Sequence, residues 1–513
     1  MQTFPYAHYR PGQREAIEAA QAAFERGKRF VVIEAPTGAG KSAMAVTLAR
    51  EATDAYILTA QKVLQSQYVR DFRDLSEIRG RSNYVCNVDP HTHAAAAPCH
   101  IRNWHEACQQ CHYFSTKERA MATPRTLMNY AYHLAERAYA GGFAPRQLLV
   151  LDEAHQIEAM LDNFLSVELS ELELRRFGIV DCDPPAFVGE EAEYVDFAED
   201  VYHRLRGQRR GLEHVPTQDT MNAEFGARRS WLDGKITQLE RLLESYDHTE
   251  WSVEFKHDAR WSLVMKPIMV APFAEEVLFS SAERVLMLSA TILDVPTFLR
   301  GVGLEPSQVE VIRVGSSFPP ENRPLVARPV AKLTYHQRER DLPKLAAAVA
   351  DIIAAHPDDK GIIHTHTYNI ARYLAENLPA SAQNRLITHT TGDREAALDD
   401  HLHNFLPTIL LTPSMTEGVD FADDRARWQI ICKLPYPYLG DPQIARRRER
   451  DPDWYGWRTC LSLVQTYGRT VRSAEDFAVT YVLDADFGRF VKRERKRLPE
   501  WFLEALTEPS AST

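Results

Sequence analysis

The sequence has no uncharged apolar run of the roughly 18 residues that a bilayer-spanning helix needs. No membrane-spanning helix is therefore expected. The opening residues, MQTFPYAHYRPGQ, lack a basic segment ahead of an apolar stretch, so no secretory signal is expected either. The expected compartment is the cytoplasm, with nucleoid association if the source is prokaryotic. An excess of positive charge is also missing: 60 Lys and Arg stand against 71 Asp and Glu, a net charge of −11. That excludes a protein coated in basic surface, but a locally basic channel stays open because the local field decides binding and not the sum. There are no long repeats and no low-complexity tracts, which argues against solenoids and linker-rich chains. Cysteine is scarce. Three of the seven (Cys182, Cys432, Cys460) stand alone, and the other four fall between residues 86 and 111. In a cytoplasmic chain such a cluster more often binds metal than forms disulfides.

With 44% hydrophobic and 26% charged residues, the composition is that of a globular protein. A chain of 513 residues exceeds one core, and about 150 residues per domain suggests three or four. Short apolar runs rich in β-branched residues alternate with helical patterns. RFVVIEAP (29–36), DAYILTA (54–60), QLLVLDE (147–153) and RVLMLSAT (284–291) read as buried strands. A second series follows in KGIIHTHT (360–367), TILLTPS (408–414), RWQIICKLP (427–435) and FAVTYVLD (477–484). Strands of this kind between helices imply two α/β domains built on parallel sheets. Within the first series, between QLLVLDE and RVLMLSAT, residues 165–250 are charged and helical in period, as in LSELELRRF and WLDGKITQLERLLESY, and read as an inserted helical domain.

EAPTGAGKS (34–42) lies between a strand and a helix that begins near Ser42. A glycine-bearing loop there lets backbone N–H groups wrap a triphosphate at a helix N-terminus. Thr37, Gly38, Ala39, Gly40, Lys41 and Ser42 form the candidate ATP cradle, with Lys41 neutralising phosphates and Ser42 holding magnesium. Ala35 stands where such a loop usually has its first glycine. LLVLDEAH (148–155) ends a strand with two acids at the edge where α/β folds bind ligands. Asp152 is expected to hold Mg2+, and Glu153 to orient and deprotonate the attacking water. VQTYGRTVRS (464–473) spaces Gln465, Arg469 and Arg472 at i, i+4 and i+7, expected on one helix face, from which two arginines could reach a γ-phosphate.

Cys86, Cys99, Cys108 and Cys111 are separated by twelve, eight and two residues. Four thiolates suit an iron–sulfur cluster. Zinc is the rival, because His91, His93, His100, His105 and His112 are near in sequence. Spacing alone does not separate the two metals.

Taken in order, these motifs resemble the superfamily 2 helicases of the XPD/DinG family over nearly the whole chain. YRPGQREAI (9–17) resembles the family's opening motif, which implies Gln13 near the adenine. ILTAQKVLQSQ (57–67) resembles motif Ia, placing Thr59 and Gln61 on a single-strand path. LMNYAYHL (127–134), LSAT (288–291) and FPPENR (318–323) resemble the segment before the DEAH box, motif III and the opening of the second domain. TPSMTEGVDF (412–421) is similar to motif V, with Glu417 and Gly418 as nucleic-acid contacts and Asp420 in register. QTYGRTVRS resembles motif VI. GRSNYVC (80–86) is similar to the family's lead-in to an iron–sulfur domain, which favours a 4Fe-4S cluster over zinc.

The resemblance implies two RecA-like motor domains binding ATP and Mg2+ between them. The expected boundaries are 1–79, 116–160 and 266–305 for the first, 80–115 for the iron–sulfur domain, 161–265 for a helical arch-type insertion, 306–503 for the second motor domain and 504–513 for a disordered tail. The implied activity is an ATP-dependent DNA helicase moving 5′ to 3′ on single-stranded DNA, as a monomer, and splitting fork or overhang duplexes at an iron–sulfur wedge. Two rivals remain: a translocase that does not unwind, and an ATP-switched, redox-sensing nucleic-acid clamp.

Overall fold

All eight apolar runs become interior strands of two parallel sheets, where both faces are covered and each Val, Ile or Leu side chain contributes roughly 1.5–3 kcal/mol on burial. The structure is a computed structural model that describes residues 3–87, 91, 93–97, 110–179, 182, 184, 190–212, 223–257, 259–315, 318–413 and 421–507. In chain order its strands are β1 (Phe30–Glu34), β2 (Ala55–Thr59), β3 (Ser76–Glu77), β4 (Arg125–Asn129), β5 (Arg146–Asp152), β6 (Val167–Ser170), β7 (Trp251–His257), β8 (Trp261–Pro267) and β9 (Ala282–Ser289). They continue with β10 (Val309–Arg313), β11 (Leu325–Ala331), β12 (Gly361–His364), β13 (Leu386–Thr388), β14 (Ile409–Thr412), β15 (Trp428–Ile431), β16 (Val479–Asp484) and β17 (Leu506–Thr507).

The first sheet has the order β10-β1-β9-β5-β2-β4-β3 and the second β13-β14-β12-β15-β16-β11-β17. Every pairing within both is parallel. These are the two parallel-sheet α/β domains expected from the strand–helix alternation. The domain limits differ from the sequence expectation. Residues 309–313 pair with β1, so the first sheet runs past residue 305, and Leu506–Thr507 pair with β11, so the second runs past 503. Both are sheet edges, half exposed, and therefore lack the continuous apolar signal of interior strands.

The insertion is not purely helical. Its helices Glu191–Gly211 and Ala223–Ser245 pack on a three-stranded antiparallel sheet, β6-β8-β7, through a core that includes Val201, Leu205, Leu239, Leu263 and Met265. The sequence WSLVMKP alternates buried and half-buried positions, the period-2 pattern of a sheet with one covered face.

The second domain is seated firmly on the first. Helix Pro452–Tyr467 buries Trp454, Trp457 and Leu461 in the first domain's core, while its Leu463 and Val464 belong to the second domain's core. The Trp457 indole N–H donates to the Ile292 carbonyl at 2.8 Å. The preceding helix, Pro442–Arg450, grips the insertion and its root: Arg447 pairs with Glu158 at 3.0 Å and Arg450 with Glu250 at 2.7 Å.

Candidate functional site

A cavity of about 430 Å³ opens between the two domains, within the size range of ligand pockets. Its first wall is the loop between β1 and helix Lys41–Glu51. Gly38 and Gly40 take φ of 83° and 79°, a region that side-chain-bearing residues avoid. A Cβ on Gly40 would meet Gln13 Nε2 at 2.1 Å, and one on Gly38 would meet the Phe318 ring at 2.5 Å. Ala35 needs no such freedom: it is fully buried, its φ is not positive, and its N–H donates to the Ser289 carbonyl at 2.9 Å. The missing first glycine therefore does not disturb the loop. Lys41 Nζ lies 3.4 Å from the Ala35 carbonyl, folded over the cradle. Thr37, Gly38, Gly40, Lys41 and Ser42 all line the cavity, where helix Lys41–Glu51 begins.

Gln13 and Ala39 do not line it. The Gln13 amide accepts from the Arg10 N–H at 2.6 Å and donates to the Gly40 carbonyl at 3.2 Å, so both of its ends brace the loop from behind.

The second wall is the end of β5. Asp152 is buried, and its Oδ2 accepts from the Tyr68 hydroxyl at 2.9 Å, while its carbonyl accepts from the Tyr130 hydroxyl at 3.1 Å. Burial, then repulsion from Glu153, pushes the Asp152 carboxyl up to about 6, against the pull of Lys41. For Glu153 burial acts in the same direction, but Lys41, His155, Arg469 and Arg472 outweigh it and hold the acid below its ordinary range. Glu153 also sits at φ 53°, a strained position for a residue with a side chain, of the kind that clusters at functional sites.

From Glu153 a polar chain leads to the other domain. Its carboxylate lies 3.4 Å from His155 Nδ1, which meets the Ser289 hydroxyl at 2.9 Å. That hydroxyl accepts from the Thr291 N–H at 3.0 Å, and the Thr291 hydroxyl accepts from Gln465 Nε2 at 3.2 Å. The Glu34 carboxylate fixes the same turn by accepting from the Ile292 and Leu293 N–H groups, both at 2.7 Å. Gln465 Oε1 faces the cavity wall buried and without a hydrogen-bond partner among the described residues.

Gln465, Arg469 and Arg472 do not share a helix face. The helix ends at Tyr467, with Gly468 as its cap, and the two arginines lie on the loop beyond. Glycine and the β-branched Thr470 and Val471 are poor helix formers, and Thr470 and Val471 are instead buried in the loop's own packing. All three residues nevertheless line the cavity opposite Lys41, Asp152 and Glu153. The donors present suit a magnesium–triphosphate: one lysine, two arginines and turn N–H groups for phosphate oxygens, and the oxygens of Ser42 and Asp152 for a hard divalent cation.

Sequence reasoning passed over Tyr68, Tyr130, His155 and Thr291 as individual residues. Only burial against the acid pair marks the tyrosines. Of the expected strand contacts, Thr59 is fully buried with its hydroxyl donating to the Gln61 carbonyl at 3.3 Å. Gln61 lines the nucleotide cavity. Glu417 and Gly418 lie outside the described residues.

In the cysteine-rich lobe, Cys86 and Cys111 are buried, free of disulfides, and line one small cavity with Tyr113 and Phe114. Asn87 Nδ2 donates to the Gln110 carbonyl at 2.6 Å, which ties the two cysteine-bearing segments together. Cys99 and Cys108 lie outside the described residues, as do His100 and His105. Among the described residues no group of three or more His, Cys, Asp or Glu side chains is placed to hold a metal ion. Cys86 and Cys111 are two of the four thiols that a four-thiolate site would need.

Two family models match the chain: a helicase C-terminal domain over residues 349–505, and the res subunit of type III restriction enzymes over residues 7–176. The ATP-dependent DNA helicase YoaA of Escherichia coli (strain K12) is 23% identical, over 93% of this chain and 91% of its own length. A telomere elongation helicase regulator homologue from Anopheles gambiae is 29% identical over 110 residues, 19% of this chain and 11% of its own. A solved XPD helicase superposes with a TM-score of 0.67, at 14% identity and covering 98% of this chain and 100% of the other. The structure of S. tokodaii Xpd4 gives 0.62, also at 14% identity, covering 97% and 99%. At those identities the structural likeness carries the fold.

Proposed function

From a chain that is an XPD/DinG-like superfamily 2 helicase and an ATP hydrolase, we propose a motor that tracks 5′ to 3′ on single-stranded DNA and parts duplex DNA at its cysteine-bearing lobe. The observation that carries the reading is the cavity in which Lys41, Asp152 and Glu153 of one domain face Gln465, Arg469 and Arg472 of the other. A site split across two domains is made and unmade as they close and open, so each hydrolysis can become a displacement.

Glu153, held as a carboxylate by the surrounding cations, takes the proton of a water whose oxygen attacks the γ-phosphorus. The bond from that phosphorus to the β-phosphate's bridging oxygen breaks, and ADP leaves with the oxygen. Lys41 from one side and Arg469 and Arg472 from the other stabilise the charge on the equatorial oxygens. Ser42 and Asp152 would hold Mg2+, which when bound would supply positive charge to offset that of the phosphates. Cys86, Cys99, Cys108 and Cys111 would hold a 4Fe-4S cluster, which when bound would cross-link a lobe too small to have a core of its own. Gln61, Glu417 and Gly418 are proposed to lie along the strand path, with Thr59 supporting Gln61 from within. Phosphate contacts should dominate that path, giving binding that weakens with salt and reads little sequence.

Strand displacement on forked DNA with a 5′ or a 3′ single-stranded arm tests the reading. ATP-dependent displacement from the 5′-armed substrate alone is expected. Translocation or ATP hydrolysis stimulated by single strands without displacement would replace the unwinding motor with a translocase.

A further inference from the structure

Asp476 does not line the nucleotide cavity, yet it is buried directly behind the loop that carries both arginines. Its carboxylate accepts from three donors through four contacts. Oδ2 receives the Arg472 main-chain N–H at 3.1 Å, and the Asp423 N–H lies 3.2 and 3.3 Å from Oδ1 and Oδ2. Oδ1 also receives Arg427 Nη1 at 2.9 Å. Only an ionised carboxylate offers acceptors on both oxygens and no donor, so no other side chain of this size serves three N–H sources at once.

The partners are not random neighbours. Asp423 follows the segment 412–421 that resembles motif V, and it is held at φ 58°, where a residue with a side chain needs support. A second bridge runs beside the first: the Phe421 N–H donates to the Arg469 carbonyl at 3.2 Å. A third pins the loop's far end, where Asn322 Nδ2 donates to the Ala474 carbonyl at 2.6 Å. On its other side the loop touches the phosphate cradle, since a Cβ on Gly38 would lie 3.2 Å from the Arg472 carbonyl. The arginine loop is thus held between the end of the motif V segment and the phosphate site, and Asp476 is where the main chain of Arg472 is fixed.

We propose that Asp476 is a positioning residue for ATP hydrolysis: it sets the arginine loop against the phosphates and makes that setting depend on the main chain at Phe421 and Asp423. The inference rests on the motor reading above, in that the segment it links to the arginines is the one proposed to hold the DNA strand. Arg427, stacked on Phe477 at 4.3 Å and paired with Asp424 at 2.8 Å, keeps the carboxylate aimed.

The test is a double-mutant cycle of Asp476→Asn with Arg472→Ala, read in kcat and KM for ATP with and without single-stranded DNA. Asparagine keeps the shape but turns one acceptor into a donor, facing N–H groups. Asp476→Asn is expected to lower DNA-stimulated kcat by about tenfold or more with KM changed less than about threefold, and the double variant should be no slower than Arg472→Ala alone. Independent, multiplying effects, or unchanged stimulation by DNA in Asp476→Asn, would overturn the proposal. A purely structural role would lower thermal stability and leave the two kcat effects independent. Should Asp476→Asn fail to fold, Arg427→Gln with Asp476→Asn removes the buried charge pair together and enters the same cycle. If the unaltered chain is not stimulated by DNA, the motor reading fails, and the cycle run on the basal rate still decides the positioning role.

Discussion

Gln465 Nε2 donates to the Thr291 hydroxyl across 3.2 Å, joining a helix of the second domain to the turn after β9 in the first. Through Ser289 and His155 that turn is hydrogen-bonded back towards Glu153. The acid proposed to activate water and the domain proposed to close on ATP are therefore linked by one run of polar contacts, of which His155, Ser289, Thr291 and Gln465 are buried. Low-dielectric surroundings make each such contact stronger and its loss more costly.

Thr291→Val removes the hydroxyl and keeps the branched shape. Losing one buried hydrogen bond should weaken domain closure by about 1–2 kcal/mol, a fall in turnover of about 5- to 30-fold. Single-turnover hydrolysis and a thermal melt check it together. A lowered melting point with unchanged turnover would mean that the bond serves only the fold.

Lys41→Ala and Glu153→Gln should part binding from chemistry. The lysine variant loses the charge that meets the phosphates, so both ATP binding and hydrolysis should collapse while the fold persists, because Lys41 is partly exposed and supports no core. The glutamine variant keeps shape and loses the base: ATP should still bind, and turnover should fall about 100-fold or more. Titration with a fluorescent ATP analogue beside steady-state turnover distinguishes the two.

Tyr68→Phe should move the acid limb of the pH profile. The Tyr68 hydroxyl donates to Asp152 and so favours the carboxylate, and without it the pKa, already about 6, rises further. Magnesium needs the deprotonated acid. In the parent chain KM for magnesium–ATP should rise as pH falls through about 6, and in Tyr68→Phe the same rise should begin at a higher pH. Coincident profiles would show that Asp152 does not take up the metal.

On the proposed cluster site, Cys111→Ser removes one sulfur ligand, and anaerobically purified protein should lose iron and visible absorption relative to the parent chain. The cysteine lies on an insertion and the phosphate loop on its own strand and helix, so ATP hydrolysis should persist at least in part while strand displacement fails. Full displacement by a metal-free Cys111→Ser protein would remove the wedge. Zinc in place of iron would change the metal and leave the motor.

The phosphate loop was legible because its chemistry is local: a strand, two glycines in left-handed turns and a lysine at a helix start lie within about a dozen residues. The acid pair was legible for the same reason, sitting at the end of an apolar strand. Edge strands were not. Val309–Arg313 and Leu506–Thr507 gain their place from pairing with β1 and β11, partners far away in sequence, and their own half-exposed residues say little. The insertion's sheet was hidden likewise behind two long helical patterns.

By itself the sequence determined two parallel-sheet domains, the glycine-bearing loop after β1 and the acid pair at the end of β5, because periodicity and turn chemistry act over short range. Tertiary structure decided that the motif VI helix stops at Tyr467, leaving Arg469 and Arg472 on a loop, and that Tyr68 sits on Asp152, Thr291 on Gln465 and Arg472 on Asp476. Those contacts join residues that only the packing of distant segments brings within hydrogen-bond reach.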